Sequence, residues 1–232
     1  MLGILFILLV SWVLLYLLEK ENLSVLGLRP LSKVLCEFIF GFVIIAITML
    51  SMTGLESLIL NVKWQLNDVI EYKPIINSLW YYFKSALTED LIFRGAVLYI
   101  LIKRYGMSMG IILSAISFGF YHWFSYGMIP GEFRLIPLLY VFVATGFTGV
   151  VWAYVYVKTR SIMMPLGLHL GNNFVQGLFY ENNPYGELIF AELSKDQFSN
   201  EYLALLYLIL KSLFAPLITL LIVRYWLRKN VE

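Results

Sequence analysis

The chain has 232 residues, 60% of them hydrophobic and 14% charged, and 17 Lys plus Arg against 15 Asp plus Glu leave a net charge of +2. Ordinary soluble domains run at about 45–50% apolar and about 25% charged, so this balance, with a mean hydropathy of +0.79, excludes a soluble enzyme, and 17% aromatic residues exclude disorder. Basic residues scattered without a stripe exclude nucleic-acid tracking, and the single Cys36 cannot form an intramolecular disulfide.

Residues 2–18 form an uninterrupted apolar run ending at Glu19, Lys20 and Glu21. No positive segment precedes it and no small-residue cleavage site follows, which points to a retained membrane helix rather than a signal peptide. Further apolar stretches follow at 34–53, 75–102, 107–124, 135–157, 161–180 and 202–226. Each meets or nearly meets the roughly 20 residues needed to cross the hydrocarbon core. Gly, Pro and charge punctuate the gaps, as in Gly27-Leu28-Arg29-Pro30, Lys103 to Gly106, Gly127 to Gly131, and Lys158 to Arg160. The expected fold is all-α, a polytopic bundle of about seven transmembrane helices. An eighth short or re-entrant element has room at 187–193, and residues 1–232 read as one integral-membrane domain without repeats.

Charge placement sets an orientation, because cytoplasmic loops hold the excess of Lys and Arg. With the N-terminus outside, the inside segments carry Lys20, Arg29, Lys33, Lys103, Arg104, Lys158, Arg160, Arg224, Arg228 and Lys229. The outside loops then hold Lys63, Lys73, Arg134 and Lys195, together with the acidic stretch from Glu181 to Glu201. The asymmetry favours N-out, C-in. Trp80, Tyr81, Tyr82, Trp123, Tyr126, Tyr225 and Trp226, all near span ends, read as an interfacial belt.

Lys84, Arg94 and Lys211 remain inside predicted spans. A centrally placed Arg, Lys or Asp costs roughly 2.5–3.5 kcal/mol on insertion scales, and the third span carries Lys84, Glu89, Asp90 and Arg94 together, so it must face protein or water. At about 100° per residue Asp90 and Arg94 share a face, whereas Glu89 and Arg94 diverge by roughly 140°. Asp90 with Arg94 is the expected local ion pair, a packing element before a catalytic one, and Glu89 is left to point at another helix. Lys84 and Lys211 have two readings, a proton or ion pathway or snorkelling stems with a carbonyl partner. Both histidines lie inside spans. His122 follows Phe118 by four residues and His169 precedes Asn173 by four, so imidazole and carboxamide stack on one helix face. Counted from the helix ends, Glu89 and His169 fall near mid-membrane and His122 nearer the outer end, depths compatible with one shared site.

Glu89-Asp90-Leu91-Ile92-Phe93-Arg94-Gly95, then Phe118-x-x-x-His122, then His169-x-x-x-Asn173-Phe174 resemble the three motifs of the CPBP (Abi) intramembrane proteases. That family includes CAAX prenyl endopeptidases and bacteriocin-processing or self-immunity proteins. The resemblance covers about residues 80–180, the motif-bearing core, and Gly27-Leu28-Arg29-Pro30 is similar to the family as well. Where the family usually has a second glutamate this chain has Asp90, whose shorter carboxylate still pairs with Arg94.

The resemblance implies an endopeptidase of a prokaryotic plasma membrane that cuts a membrane-associated peptide or protein, prenylated or leader-bearing, with the lipid bilayer as its other partner. In one version Glu89 is the general base and His122 holds the same water. His169 and Asn173 then donate hydrogen bonds to the oxyanion, worth roughly 2.7–4 kcal/mol for one such donor, with Asp90, Arg94 and Phe118 in support; Phe118 and Phe93 read most simply as packing residues beside the site. In the other, Glu89, His122 and His169 hold a divalent metal such as zinc, with water in the fourth position. No His-Glu-x-x-His helix is present, and the metal-free version is slightly favoured. A nucleophilic Cys36 has no acid-base partner nearby in sequence. Two other classes compete. One is a catalytically silent membrane protein for bacteriocin immunity or regulation of another membrane protein, for which Asp90 speaks. The other is a small transporter coupling protons through Glu89 and Lys84, which would want inverted repeats that the hydropathy lacks.

Overall fold

A computed structural model describes residues 2–131, 134–182 and 184–231, with side chains to 226; those of Arg228 and Lys229, counted in the charge argument, lie outside the described residues. The helices are α1 (Leu2–Glu19), α2 (Leu31–Ile59), α3 (Tyr72–Asp90), α4 (Ala96–Tyr105), α5 (Met107–Ser125), α6 (Leu135–Thr159), α7 (Met163–Phe179) and α8 (Glu201–Val231). A π-turn over Leu91–Gly95 joins α3 to α4 with no intervening loop, Gly95 itself leaving the helical region at ψ −128°, so the described residues form seven rods at the positions of the seven apolar stretches. Gly106, at φ +82°, supplies the sharp break between α4 and α5. Asn22 caps a short 3-10 turn by accepting from the Ser24 N–H at 2.8 Å, and Gly27 ends it in the left-handed region.

Five helices, α1, α2, α5, α6 and α8, are long and apolar enough to cross a membrane. The two rods that fall short, α3–α4 and α7, carry Glu89, Asp90, Arg94 and His169, all buried. α7 is the centre of the bundle, with ten of its 17 residues buried, His169 among them. It reaches that position because its contact with α2 is made by small residues. A Cβ on Gly41 would run into the Met164 carbonyl oxygen, one on Gly167 into that of Phe38, and one on Gly171 would lie 2.9 Å from that of Phe42. Such seams let backbones approach in a solvent that gives no hydrophobic drive between helices.

The loops gather by helix parity. At one end, basic in character, Lys103 lies 3.5 Å from Glu21, Arg104 lies 2.9 Å from Glu19, and the Ile162 N–H donates to the Leu26 carbonyl at 3.0 Å. At the other end β1 (Lys63–Leu66) pairs antiparallel with β2 (Phe190–Ser194), Leu66 opposite Phe190. The stretch expected as a short or re-entrant element therefore holds a strand. Too short to satisfy its own backbone groups as a helix, it finds them partners on β1. Trp64 of β1 meets Phe179 and Tyr180 edge-on at 5.5 Å and donates Nε1–H to Ser57 at 2.7 Å, fixing this sheet to α2 and α7. Tyr82, expected in the interfacial belt, is buried instead, because its hydroxyl has an inward acceptor in the Tyr185 carbonyl.

Candidate active site

Glu89 and Asp90 close α3, and the π-turn that follows carries Arg94. Single π-turns within α-helices are frequent at functional sites. All three residues are buried, Asp90 and Arg94 at 0% exposure. Glu89 Oε2 lies 3.9 Å from His122 Nε2 and 3.6 Å from His169 Nε2, so α3, α5 and α7 each bring one group to a common point. Glu89 Oε1 accepts from the Ser85 hydroxyl one turn earlier at 3.2 Å.

The four-residue spacing of Phe118 and His122 has a specific consequence. His122 Nδ1 stands 2.8 Å from the Phe118 carbonyl oxygen, which can only accept, so Nδ1 carries the proton. In the neutral ring Nε2 then presents a lone pair toward Glu89. His169 is held differently. Its Nδ1 is 3.4 Å from Asp90 Oδ1 and its Nε2 faces Glu89, so the ring spans two carboxylates.

Asp90 also faces Arg94, with Oδ1 3.3 Å from Nη1. This is the expected i,i+4 pair, although neither Asp90 oxygen nor any Arg94 nitrogen completes a hydrogen bond among the described residues. Aromatic faces complete the environment of the cation. The guanidinium carbon is 3.8 Å from the Phe118 ring centre and 5.2 Å from that of Trp152. Trp152 also lies 4.4 Å from the His169 ring. Phe118, read from sequence as packing, is thus a cation-π platform, and Trp152 on α6 was not anticipated; its one signal is a Trp in mid-span rather than at an interface.

A cavity of about 430 Å³ opens beside this cluster between α2, α5, α6, α7 and α8, and His122, Tyr126, His169 and Asn173 all face it. Asn173 does not touch the Glu89 group directly. It lies one turn along α7, roughly 6 Å by helical rise, and its Oδ1 accepts from Asn172 at 3.1 Å, which leaves its amide N–H groups to the cavity. Gln176 and Tyr180 continue the polar line along α7. The far wall holds a second buried ion pair. Lys211 of α8 lies 2.6 Å from both oxygens of Glu56 on α2, and the Tyr180 hydroxyl donates to the same carboxylate. Lys211 therefore has a carboxylate partner rather than a carbonyl, and Glu56, just beyond the predicted end of the second span, was missed.

Glu89, His122 and His169 face one another, yet among the described residues no group of three or more His, Cys, Asp or Glu is arranged to hold a metal ion. The donors are a little too far apart, and His169 divides its two nitrogens between two carboxylates. The steps this geometry supports are those of the side chains themselves. Residues 71–175, which supply every motif residue above, match the family model of Rce1-like type II CAAX prenyl endopeptidases. The likeness of this segment is therefore to CAAX-type intramembrane proteases. No curated protein and no solved structure matches the chain.

Proposed function

We propose that the chain is an intramembrane endopeptidase that hydrolyses a peptide bond in a membrane-associated substrate, prenylated or leader-bearing, in the plasma membrane of a prokaryote. The likeness of residues 71–175 to CAAX-type proteases supports the protease class. The observation that carries the mechanism is Glu89 Oε2 facing Nε2 of His122 at 3.9 Å and of His169 at 3.6 Å beside a cavity of about 430 Å³. The Glu89 carboxylate and the His122 lone pair are two acceptors at a separation that one water bridges with hydrogen bonds of about 2.8 Å. That water directs its oxygen lone pairs into the cavity. As the oxygen bonds to the substrate carbonyl carbon, Glu89 takes the proton and the C=O electron pair becomes an oxyanion. His169 protonated on both nitrogens, its Nδ1–H held toward Asp90, donates Nε2–H to that oxyanion together with the Asn173 amide. Collapse breaks the C–N bond, and Glu89 returns its proton to the leaving nitrogen, so one water yields an acid and an amine. Asp90 acts through His169, and Arg94 through Asp90, as positioning residues.

The test is cleavage of candidate membrane peptides by purified wild type, Glu89→Ala and His169→Ala. Each variant is expected to lose at least about 100-fold in rate, the low end for removing a general acid or base. Equal activity in all three overturns the assignment. Repeating the wild-type assay with a chelator, then with added zinc, reads metal dependence separately.

A further inference from the structure

Hydrolysis inside a bilayer needs a path for water that bound substrate does not block, and Glu89 has two sides. Oε2 faces the histidines, which line the larger cavity. Oε1 faces Ser85, and on that side lies a second cavity of about 310 Å³, walled by Lys84, Ser85, Thr88 and Glu89 of α3, Tyr121 of α5 and the first turn of α1 at Gly3 and Ile4. The two cavities divide neighbouring residues of α5 between them, Tyr121 facing one and His122 the other. Glu89 lines the smaller space, and the two histidines it faces line the larger one.

We infer that the smaller cavity is a hydrated vestibule that delivers water to Glu89 while substrate occupies the histidine side; the inference rests on Glu89 as the base proposed above. Its location fits a supply route. The far end of α1 is tied to α4 at the basic end by Glu19 and Arg104, so Gly3 and Ile4, at its other end, come about level with Thr88 and Glu89 by helical rise. The vestibule extends from Glu89 back along α3 to Tyr81, toward the sheet-bearing end. Its chemistry fits as well. Apolar cavities stay dry, whereas water at about 30 Å³ per molecule fills polar ones that offer two to four partners. Here the partners are the Lys84 ammonium, the hydroxyls of Tyr81, Ser85, Thr88 and Tyr121, and the Glu89 carboxylate. The Thr88 hydroxyl donates its proton to the Lys84 carbonyl at 2.8 Å, which leaves its oxygen to accept from water. Lys84, costly in lipid, has its place as a wall of this vestibule.

Single cysteines in a Cys36→Ser background, with the protein in lipid nanodiscs, test the inference through an impermeant, charged thiol reagent. Lys84→Cys and Thr88→Cys are expected to react within about tenfold of Lys73→Cys, exposed in the first turn of α3, and Ile112→Cys, on the outward face of α5 at 48% exposure, about 100-fold more slowly, since labelling follows thiolate access. Labelling Thr88→Cys fills the vestibule and is expected to lower kcat about tenfold with KM within about twofold, the pattern of a lost step rather than lost binding. Thr88→Cys as slow as Ile112→Cys, or a labelled enzyme in which KM rises at constant kcat, overturns the vestibule. Labelling needs no turnover: a slow Thr88→Cys in an active enzyme removes the vestibule alone, and a reactive Thr88→Cys in a chain that cleaves nothing removes the protease reading alone.

Discussion

Arg94 has exchanged water for one carboxylate and two aromatic faces. A desolvated cation over a ring gains roughly 2 kcal/mol or more, and Asp90 at 3.3 Å supplies the countercharge. Removing one member of such a pair strands the other at a cost of about 3–5 kcal/mol, whereas replacing both is often nearly neutral. Arg94→Met alone is therefore expected to lower the thermal midpoint of the purified protein well below that of Arg94→Met with Asp90→Asn; equal loss in the single and double variants would show that the two side chains do not depend on each other. This pair was legible from the chain because i,i+4 spacing is a local property, and the same spacing left Glu89 to another helix. Trp152 was not legible, although it touches both Arg94 and His169. It reaches them from α6, and no local rule links a residue there to motifs on α3 and α7.

Among elements, α7 depends on the glycines that let it approach α2. A methyl group at Gly167 would overlap the Phe38 carbonyl oxygen, which belongs to rigid helical backbone, whereas one at Gly54 would meet nothing within 4 Å. Overpacking a close contact costs typically about 1–3 kcal/mol, while Gly→Ala in an open helical position gains up to about 1 kcal/mol. Gly167→Ala is expected to lower the thermal midpoint and to slow cleavage, because it displaces the helix that carries His169 two residues later; Gly54→Ala is expected to do neither. Identical melting of the two variants would show that the α2–α7 seam is loose. Apolar run length fixed the helix positions to within a few residues, since the membrane thickness dictates it. The π-turn and the sheet escaped for a common reason. Leu91–Gly95 reads like any helical stretch until its neighbours select the wider turn, and β1 becomes a strand only against a partner more than 120 residues away.

At the scale of the molecule, α8 is joined to the rest by a charge. Lys211 reaches both oxygens of Glu56, which is 1% exposed, and Tyr180 donates to the same carboxylate while packing against Trp64 of the sheet. One cluster thus ties α2, α7, α8 and the sheet together, and Lys211 and Tyr180 face the larger cavity. Neither partner announces the other, because 155 residues separate them and each alone looks like a stray charge near a helix. Lys211→Met leaves the Glu56 carboxylate buried without its cation, again at about 3–5 kcal/mol, and Glu56→Gln strands the ammonium, which at 26% side-chain exposure retains some water and should cost less. The double variant removes both charges and is expected to recover much of the loss, giving a coupling of about 1–3 kcal/mol in a double-mutant cycle, the range for residues in contact. Because the cluster lines the cavity wall without touching Glu89 or either histidine, the double variant should keep kcat and shift KM. Additive single effects would remove the pair as the tie on α8, and a collapse of kcat at unchanged stability would place Lys211 in the chemistry instead of on the wall.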